Sequence, residues 1–494
     1  MEQITALVKE IEAFCRKAGL AETTFGRQAV NDGKLMGRLR EGKGITLKTM
    51  ERARSYIANY APGPTRSAAK DAPPTDKGPM NGPRRMTGAG PAGAPQMRAE
   101  AAQRLAPKKP EGVGKTVGDE TQAKNFRFYD NRQKYLMFVN TCNEKWVVAD
   151  SVAKELALIS PQPPAMRVFD AGMGDGTVLT QVMRKMHKKY PNVPFYVVGK
   201  EISLEDVRLT LEKLPDRFYE HPATVMVITN LYYTEAPWLS PRSMNVAAAL
   251  NWKEVALSGS SAADYDEQIK DLQAFLADGW QVKASAKTGN PLYVRPSVLI
   301  LYREDHKFML DRVLPRRGQN DANYDLVIAS QPYRSRMPTE FKVEKVLAPL
   351  ARSLGPGGRM IVVHSSGDDP GLEIVRKIWP GEEPFVTDRH TLLRVMKHEL
   401  GKSERDLNFN TYADNRAIFQ YQMHTLPTEI GEAIGTSTLF AAWNAAVYVA
   451  QIEDQRLESV MKDGTYLEAT RDVLQKHGGL WFNDESFVIS RRKK

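Results

Sequence analysis

The stretch Arg-Val-Phe-Asp-Ala-Gly-Met-Gly-Asp-Gly-Thr at residues 167–177 decides the fold of this chain. The apolar residues before Asp170 predict the end of a buried parallel strand, with the acid at its carboxyl edge. Three alternating glycines follow: Gly172, Gly174 and Gly176. Without Cβ atoms they allow a ligand to approach the backbone closely and allow positive φ angles. Apolar residues then recur at helical spacing through 178–188, so the sequence predicts a strand, a glycine loop and a helix.

The spacing of the glycines indicates which kind of ligand the loop can bind. A dinucleotide-binding loop has the pattern Gly-x-Gly-x-x-Gly, and a P-loop ends in Gly-Lys-Ser/Thr. This loop has neither pattern, and Asp175 within it would repel a pyrophosphate. A ligand without phosphate therefore fits better, and a structural turn with no ligand is the alternative.

The loop resembles the first motif of class I S-adenosylmethionine-dependent methyltransferases. The resemblance implies that Asp170 and the three glycines bind S-adenosyl-L-methionine as cofactor. A second predicted strand begins at Phe195 and ends in Glu201, about 25 residues after the loop, where an acid accepts hydrogen bonds from ribose hydroxyls. A third, 224–230, ends in Asn230, to which the resemblance gives a weaker contact with the adenine.

A fourth predicted strand, 324–330, leads into the sequence Ser330-Gln331-Pro332-Tyr333. Methyltransferases that act on planar nitrogens often carry Asp/Asn/Ser-Pro-Pro-aromatic there, and this chain lacks one of those prolines. The resemblance implies that these four residues hold the methyl acceptor, with the amide of Gln331 as donor and acceptor and the ring of Tyr333 as a stacking surface. An ordinary loop after a buried strand is an equal alternative.

The alternation of strands and helices predicts an α/β fold, a Rossmann-like class I methyltransferase sheet with large inserts. A fifth strand is predicted at 359–364 after a helix at 341–354, and two short β-rich stretches at 480–490 are predicted to form an antiparallel edge. We place this domain at 125–494. The inserts 235–323 and 368–438 are expected on the substrate side, where Tyr421 and His424 are candidate bases.

Composition limits the class of protein. The longest apolar stretch, 439–450, is too short to cross a bilayer, and the first residues do not form a signal peptide. Cys15 and Cys142 suggest neither a disulfide framework nor a metal site, so a cytoplasmic protein is expected. Of the net charge of +10, nearly all belongs to residues 1–124, and 125–494 is almost neutral. The asymmetry favours an anionic partner for the N-terminal part.

Apolar residues recur at helical spacing through 4–14 and 25–39, and the sequence Arg-Leu-Arg-Glu-Gly-Lys follows at 38–43. With these features residues 1–60 resemble the lambda repressor-like helix-turn-helix family, which predicts a small all-α DNA-binding domain. The residues that the resemblance places on DNA are Lys34, Arg38, Lys43 and Lys48, with Asp32 as a weaker candidate. A helical protein-interaction module is the alternative. Residues 61–124, rich in Pro, Ala, Gly, Lys and Arg, predict a disordered linker. The oligomeric state is left open, although a dimer would strengthen DNA binding.

These patterns predict a methyltransferase that uses S-adenosylmethionine and is targeted by a DNA-binding module, with a nucleobase amine as one acceptor. A nearly neutral catalytic domain argues against a DNA acceptor, since duplex binders usually have a basic cleft. Two alternatives follow: a small-molecule or protein methyltransferase with a regulatory N-terminal module, and a non-catalytic regulator that senses S-adenosylmethionine.

Overall fold

The computed structural model describes residues 2–30, 32–40, 47–58, 132–285, 291–425, 427–431, 433–462 and 464–493. The chain divides into two compact units, Met1–Gly114 and Lys115–Lys494. The predicted linker and the predicted domain boundaries at 60 and 124 lie outside the described residues. Within the described ranges, no helix is both long and apolar enough to cross a membrane.

The N-terminal unit is a group of helices around its own apolar core. Its helices are α1 (Glu2–Ala18), α2 (Glu22–Val30), α3 (Leu35–Arg40) and α4 (Leu47–Ala58). The fully buried ring of Phe25 packs edge-on against Phe14 and Tyr56, at centroid distances of 5.6 and 5.4 Å. A Cβ on Gly26 would lie 2.2 Å from the backbone oxygen of Asp32, so only glycine lets the turn after α2 pass so close.

The residues predicted to meet DNA are only partly described. Arg38 forms an ion pair with Asp32, and its side chain is 50% exposed. Lys34 is exposed at the same turn. Lys43 and the side chain of Lys48 lie outside the described residues. For Arg38 to reach a base or a phosphate, its pair with Asp32 would have to open, and DNA binding by this unit stays a prediction.

The second unit is built on a mixed sheet. The strands are β1 (Met166–Asp170), β2 (Phe195–Lys200), β3 (Thr224–Thr229), β4 (Asn251–Leu257), β5 (Val282–Ala284), β6 (Pro291–Tyr293), β7 (Ser297–Arg303), β8 (Tyr324–Ser330), β9 (Leu354–Ser365), β10 (Leu407–Asn410), β11 (Ile418–Gln422) and β12 (Trp481–Arg491). The order in the main sheet is β10-β12-β9-β8-β1-β2-β3-β7-β4, with β11 also paired to β12, while β5 and β6 form a separate hairpin.

Helices cover both faces of this sheet. The α-helices are α5 (Arg132–Thr141), α6 (Glu144–Leu156), α7 (Thr177–Lys189), α8 (Leu204–Leu211), α9 (Leu214–Glu220), α10 (Met244–Ala248), α11 (Ala262–Lys270), α12 (Gln273–Gly279), α13 (Lys307–Leu310), α14 (Thr339–Lys342), α15 (Ala348–Arg352), α16 (Pro370–Ile378), α17 (Arg389–Leu400), α18 (Asp414–Ala417), α19 (Thr436–Val449), α20 (Asp454–Val460) and α21 (Thr465–His477). Short 3-10 helices lie at Ala236–Trp238, Glu304–His306 and Pro427–Glu429, and a π-helix at Val343–Leu347.

The order of the central strands creates a switch point. From β1 the chain adds β2 and β3 on one side, and then returns to add β8 and β9 on the other side, all parallel. These strands are almost continuously apolar because helices bury both faces of a parallel sheet. The order is consistent with a methyltransferase Rossmann-like fold. In such sheets ligands bind at the carboxyl ends of the strands where the order reverses, here between β1 and β8.

The insert 235–323 does more than line the substrate side. It supplies β7, which runs antiparallel to β3 with Val298 opposite Thr229, and β4, which is parallel to β7. The run 297–302 in β7 is fully buried, and an apolar segment of this kind is buried most readily by joining the sheet. These two strands therefore belong to the sheet itself, and the substrate-side role of the insert stays a prediction.

Three other predicted boundaries change. The stretches at 480–490 form one strand, β12, between β9 and β10. The insert 368–438 extends this edge with β10 and β11 instead of lying wholly over the substrate side. The helix predicted at 341–354 consists of α14, the π-helix and α15, and β9 begins at Leu354, five residues before the predicted strand.

Glu155 joins α6 to the sheet. Its carboxylate is 1% exposed and accepts hydrogen bonds from Arg359 Nε of β9 at 2.7 Å and from Arg416 Nη2 at 2.8 Å. The Tyr412 hydroxyl lies 3.3 Å from the same carboxylate. One buried acid therefore fixes the helix before the glycine motif to residues more than 200 positions later.

Candidate functional site

A cavity of about 620 Å³ opens at the carboxyl ends of β1, β2 and β8. It contains the switch point, where the fold predicts a ligand. Seven of the predicted site residues line this cavity: Gly172, Gly174, Glu201, Ser330, Gln331, Pro332 and Tyr333. The other three predicted cofactor residues, Asp170, Gly176 and Asn230, are not part of its wall.

The glycine loop forms one wall of the cavity. Gly174 has φ +55°, and its N–H donates to Glu201 Oε2 at 2.9 Å. A Cβ on Gly174 would lie 3.1 Å from the hydroxyl oxygen of Tyr135, whereas one on Gly172 would make an ordinary 3.6 Å contact with the Ser330 carbonyl oxygen. Gly172 thus leaves space where a ligand can approach the backbone, whereas Tyr135 lies against Gly174.

Gly176 is needed for packing at the start of α7 and does not line the cavity. It has φ +76° and precedes α7, and a Cβ there would lie 2.6 Å from Thr210 Oγ1. The glycine is required by close packing against α8. The predicted direct contact with the cofactor is therefore not supported at this position.

Glu201 organises the loop as well as facing the cavity. Its Oε1 accepts from the backbone N–H groups of Ile202 and Ser203 at 2.7 and 2.8 Å, while Oε2 accepts from Gly174. The carboxylate is held rigidly between β2 and the glycine loop. The nearby carboxyl of Asp206 has its pKa raised to about 7 by burial and by the charge of Glu201. Two crowded acids favour a cationic ligand group.

Asp170 is turned toward the backbone. Its side chain is buried, and Oδ1 accepts from the Gly172 N–H at 3.1 Å. Burial raises its pKa to about 7, against the opposing effects of that hydrogen bond and of Lys145. Asp170 shapes the loop through this bond, and its predicted direct contact with the cofactor stays a prediction.

The mutation Asp170→Asn is expected to stabilise the protein more at pH 8 than at pH 5. The pKa of Asp170 in the folded protein, about 7, lies above the ordinary 3.8. The contribution of Asp170 to the free energy of unfolding is therefore complete below pH 3.8 and is lost as the pH rises through 7. Asparagine does not titrate and keeps an acceptor for Gly172. Urea unfolding should show a gain up to about 3 kcal/mol larger at pH 8. The exposed Asp150→Asn is the control, and an equal effect of Asp170→Asn at both pH values would refute the expectation.

Asn230 is also structural. Its Nδ2 donates to the carbonyl oxygens of Gly279 and Arg295 at 2.8 and 2.9 Å, and its Oδ1 accepts from Ser297 N–H at 2.8 Å. These bonds use both donors of an amide that is 1% exposed. The side chain ties β3 to the segment before β7, and the predicted contact of Asn230 with adenine stays a prediction.

The loop Ser330–Tyr333 lines the cavity, but the side chain of Gln331 and the carbonyl of Pro332 are engaged. Gln331, with φ +47°, donates to Ser365 Oγ at 3.1 Å and to Asp484 Oδ1 at 3.3 Å. The Pro332 carbonyl accepts from the hydroxyl of Tyr233 at 2.8 Å. An acceptor amine could use that carbonyl only by sharing it with, or displacing, Tyr233. The role of the loop in holding the acceptor stays a prediction.

The ring of Tyr333 is more buried than a stacking surface would be. The residue is 6% exposed, and its ring meets His364 edge-on at 5.9 Å. Lys342 Nζ lies 5.1 Å from the ring centroid, and burial lowers the pKa of this lysine to about 8. Only part of the ring is therefore available to a ligand.

Residues before the glycine motif complete the cavity, and sequence reasoning missed them. Tyr135 on α5 and Lys145 on α6 line it, with Lys145 Nζ 5.6 Å from the Tyr135 ring centroid. Burial opposes the charge of Lys145, but the carboxylates of Glu144 and Asp175 outweigh it and raise its pKa. The aromatic pair Tyr135 and Phe138, three residues apart on one helix, was the available signal.

The two candidate bases differ in position. Tyr421 lines the cavity, but burial raises its pKa well above the usual value, which disfavours a basic role. His424 is exposed outside the cavity, where its backbone N–H donates to the Thr141 carbonyl at 2.7 Å. Its position outside the cavity does not support a role as a base, and a lone histidine is more often structural.

Comparisons with known proteins give weak likenesses of fold. No protein-family model matches the chain, and no curated protein matches it. Among solved structures, a geranyl diphosphate methyltransferase in complex with GPP and sinefungin is 11% identical, with 69% of this chain and 78% of that chain covered and a TM-score of 0.27. A putative sarcosine dimethylglycine methyltransferase from Galdieria sulphuraria is 12% identical over 70% and 86%, with a TM-score of 0.27. The plantazolicin methyltransferase BpumL in complex with SAH is 10% identical over 74% and 88%, with a TM-score of 0.24.

Proposed function

We propose that the second unit is an S-adenosylmethionine-dependent methyltransferase. The observation that carries the proposal is the hydrogen bond between Gly174 of the loop after β1 and Glu201 at the end of β2, beside a cavity at the switch point. This combination provides a wall without side chains and a fixed acid, which suit a nucleoside lying across the strand ends.

The charges around the cavity fit a zwitterionic cofactor. S-adenosylmethionine carries a sulfonium, an ammonium and a carboxylate but no phosphate. Glu201 and Asp206 would accept its hydroxyl and cationic groups, and Lys145 would pair with its carboxylate. The part of the cofactor that joins these groups would lie beside Gly172 and Gly174.

When bound, the cofactor would supply a methyl group on a good leaving group, so the protein has to orient the acceptor and exclude water. Orientation alone can contribute on the order of 7 kcal/mol or more to the lowering of the barrier. The rings of Tyr233 and Tyr333 and the loop Ser330–Tyr333 would form the acceptor wall. We keep a nucleobase amine as one acceptor and DNA targeting by residues 1–60 as part of the proposal.

Calorimetric titration of the full chain with S-adenosylmethionine and S-adenosylhomocysteine tests the cofactor. We expect dissociation constants near 1 μM, about −8 kcal/mol. Absence of binding would overturn the proposal. Transfer of a radiolabelled methyl group to DNA, to RNA and to small molecules then distinguishes the acceptors, and binding without any transfer would instead favour a sensor of S-adenosylmethionine.

A further inference from the structure

The cavity contains a lysine whose charge the protein does not balance by a direct ion pair. Lys200, the last residue of β2, lines the cavity and is partly buried. Its Nζ lies 4.7 Å from the ring centroid of Tyr233. Among the residues that the structure describes, no carboxylate oxygen lies within ion-pair distance of this amine.

The neighbouring acid is already engaged. Glu201 lies near enough to favour the charged lysine, but three backbone N–H groups hold its carboxylate on the side of the glycine loop. Other lysines of the cavity differ, because Lys145 pairs with Glu144 at 3.6 Å and Lys345 pairs with Glu344. Burial lowers the pKa of Lys200, which is the effect of an ammonium taken from water without full compensation.

The position of Lys200 points to the acceptor rather than the cofactor. The ring that it faces, Tyr233, donates its hydroxyl to the Pro332 carbonyl of the acceptor loop at 2.8 Å. Apolar side chains line the cavity as well, including Leu292, Met337 and Phe341. An ammonium close to aromatic and apolar walls suits a ligand with a flat apolar body and an anionic group.

We propose that Lys200 binds the anionic group of the methyl acceptor, which is a small aromatic acid rather than a nucleobase amine. This inference rests on the proposed function, because it assigns the substrate class of the same cavity. Tyr233 then has two roles. Its ring packs on Lys200, and its hydroxyl fixes the loop beside which the acceptor would lie.

The probes are 2-naphthoate and its neutral analogue 2-naphthamide, titrated into the full chain with and without saturating S-adenosylhomocysteine. We expect naphthoate to bind at least about 10-fold more tightly than naphthamide. Lys200→Met should remove this preference and Lys200→Arg should retain it. The matched control is Lys345→Met, which removes a cavity lysine that already has a partner and should leave the naphthoate affinity unchanged.

Melting of the ligand-free protein gives a second measurement. Because Lys200→Met removes a partly buried charge without a direct partner, it should raise the melting temperature by a few degrees. A lower melting temperature would mean that the lysine supports the fold, and would overturn the inference. So would failure of naphthoate to bind, or equal naphthoate affinity in the native protein and Lys200→Met. Failure of S-adenosylhomocysteine to bind would overturn the proposed function separately, since the naphthoate titration is also made without it.

Discussion

Replacing Gly174 with valine is expected to abolish binding of S-adenosylmethionine, with a loss of affinity of at least about 100-fold, or roughly 3 kcal/mol. Gly174 has φ +55°, a region that a β-branched residue rarely adopts. The new Cβ would lie 3.1 Å from the Tyr135 hydroxyl oxygen, so Tyr135 or the loop has to move. Either movement disturbs the hydrogen bond from Gly174 to Glu201, on which the proposed cofactor site depends.

The matched control for this variant is Gly381→Val. Gly381 is exposed, its φ is not positive, and a Cβ there would meet nothing within 4 Å. Calorimetry should show native affinity for the control, and circular dichroism should show that both variants are folded. Native affinity in a folded Gly174→Val would mean that the cofactor does not approach the loop, and the proposed site would be wrong.

The second large effect is expected for Glu155→Gln, which should lower the free energy of unfolding by about 3–5 kcal/mol. The native carboxylate is buried and bonded to Arg359 and Arg416. The neutral amide leaves the Arg359 guanidinium, whose side chain is 16% exposed, without its counter-charge. The loss should be measured by urea unfolding of the second unit, with the slope of the transition checked for a change.

Asp150→Asn on the same helix provides the control for this expectation. Asp150 pairs with Lys185 at 2.7 Å, but its side chain is 70% exposed. Removing an exposed pair changes stability by less than about 1 kcal/mol. If the two variants lost equal stability, the link from α6 to the sheet through Glu155 would not have the importance that its burial indicates.

The central strands could be predicted from the sequence because each can be recognised from a short run of neighbouring residues. Buried parallel strands are short apolar runs, and those observed at 195–200, 224–229 and 324–330 differ from the predicted ranges by at most one residue. The glycine loop was equally local, since the positive φ angles of Gly174 and Gly176 favour glycine.

The use of individual polar side chains could not be predicted in the same way. Asp170 and Asn230 end strands as predicted, but tertiary contacts turn both toward backbone groups. Tyr135 reaches the cavity from a helix that precedes the motif by more than 30 residues. Spacing along the chain does not reveal such long-range contacts, and the same is true of the pairing of β7 with β3.

The reversed direction of β7 determines which segment of the chain borders the cavity. Because β7 is antiparallel to β3, it begins at the edge of the sheet where β3 ends. The β5–β6 hairpin that precedes it therefore comes to the cavity, and Pro291 and Leu292 line it. The strand β7 is held in the main sheet by its pairing with β3, whereas the β5–β6 hairpin lies outside that sheet. Changes in the side chains of this hairpin can therefore alter the wall of the cavity without changing the pairing of the main sheet.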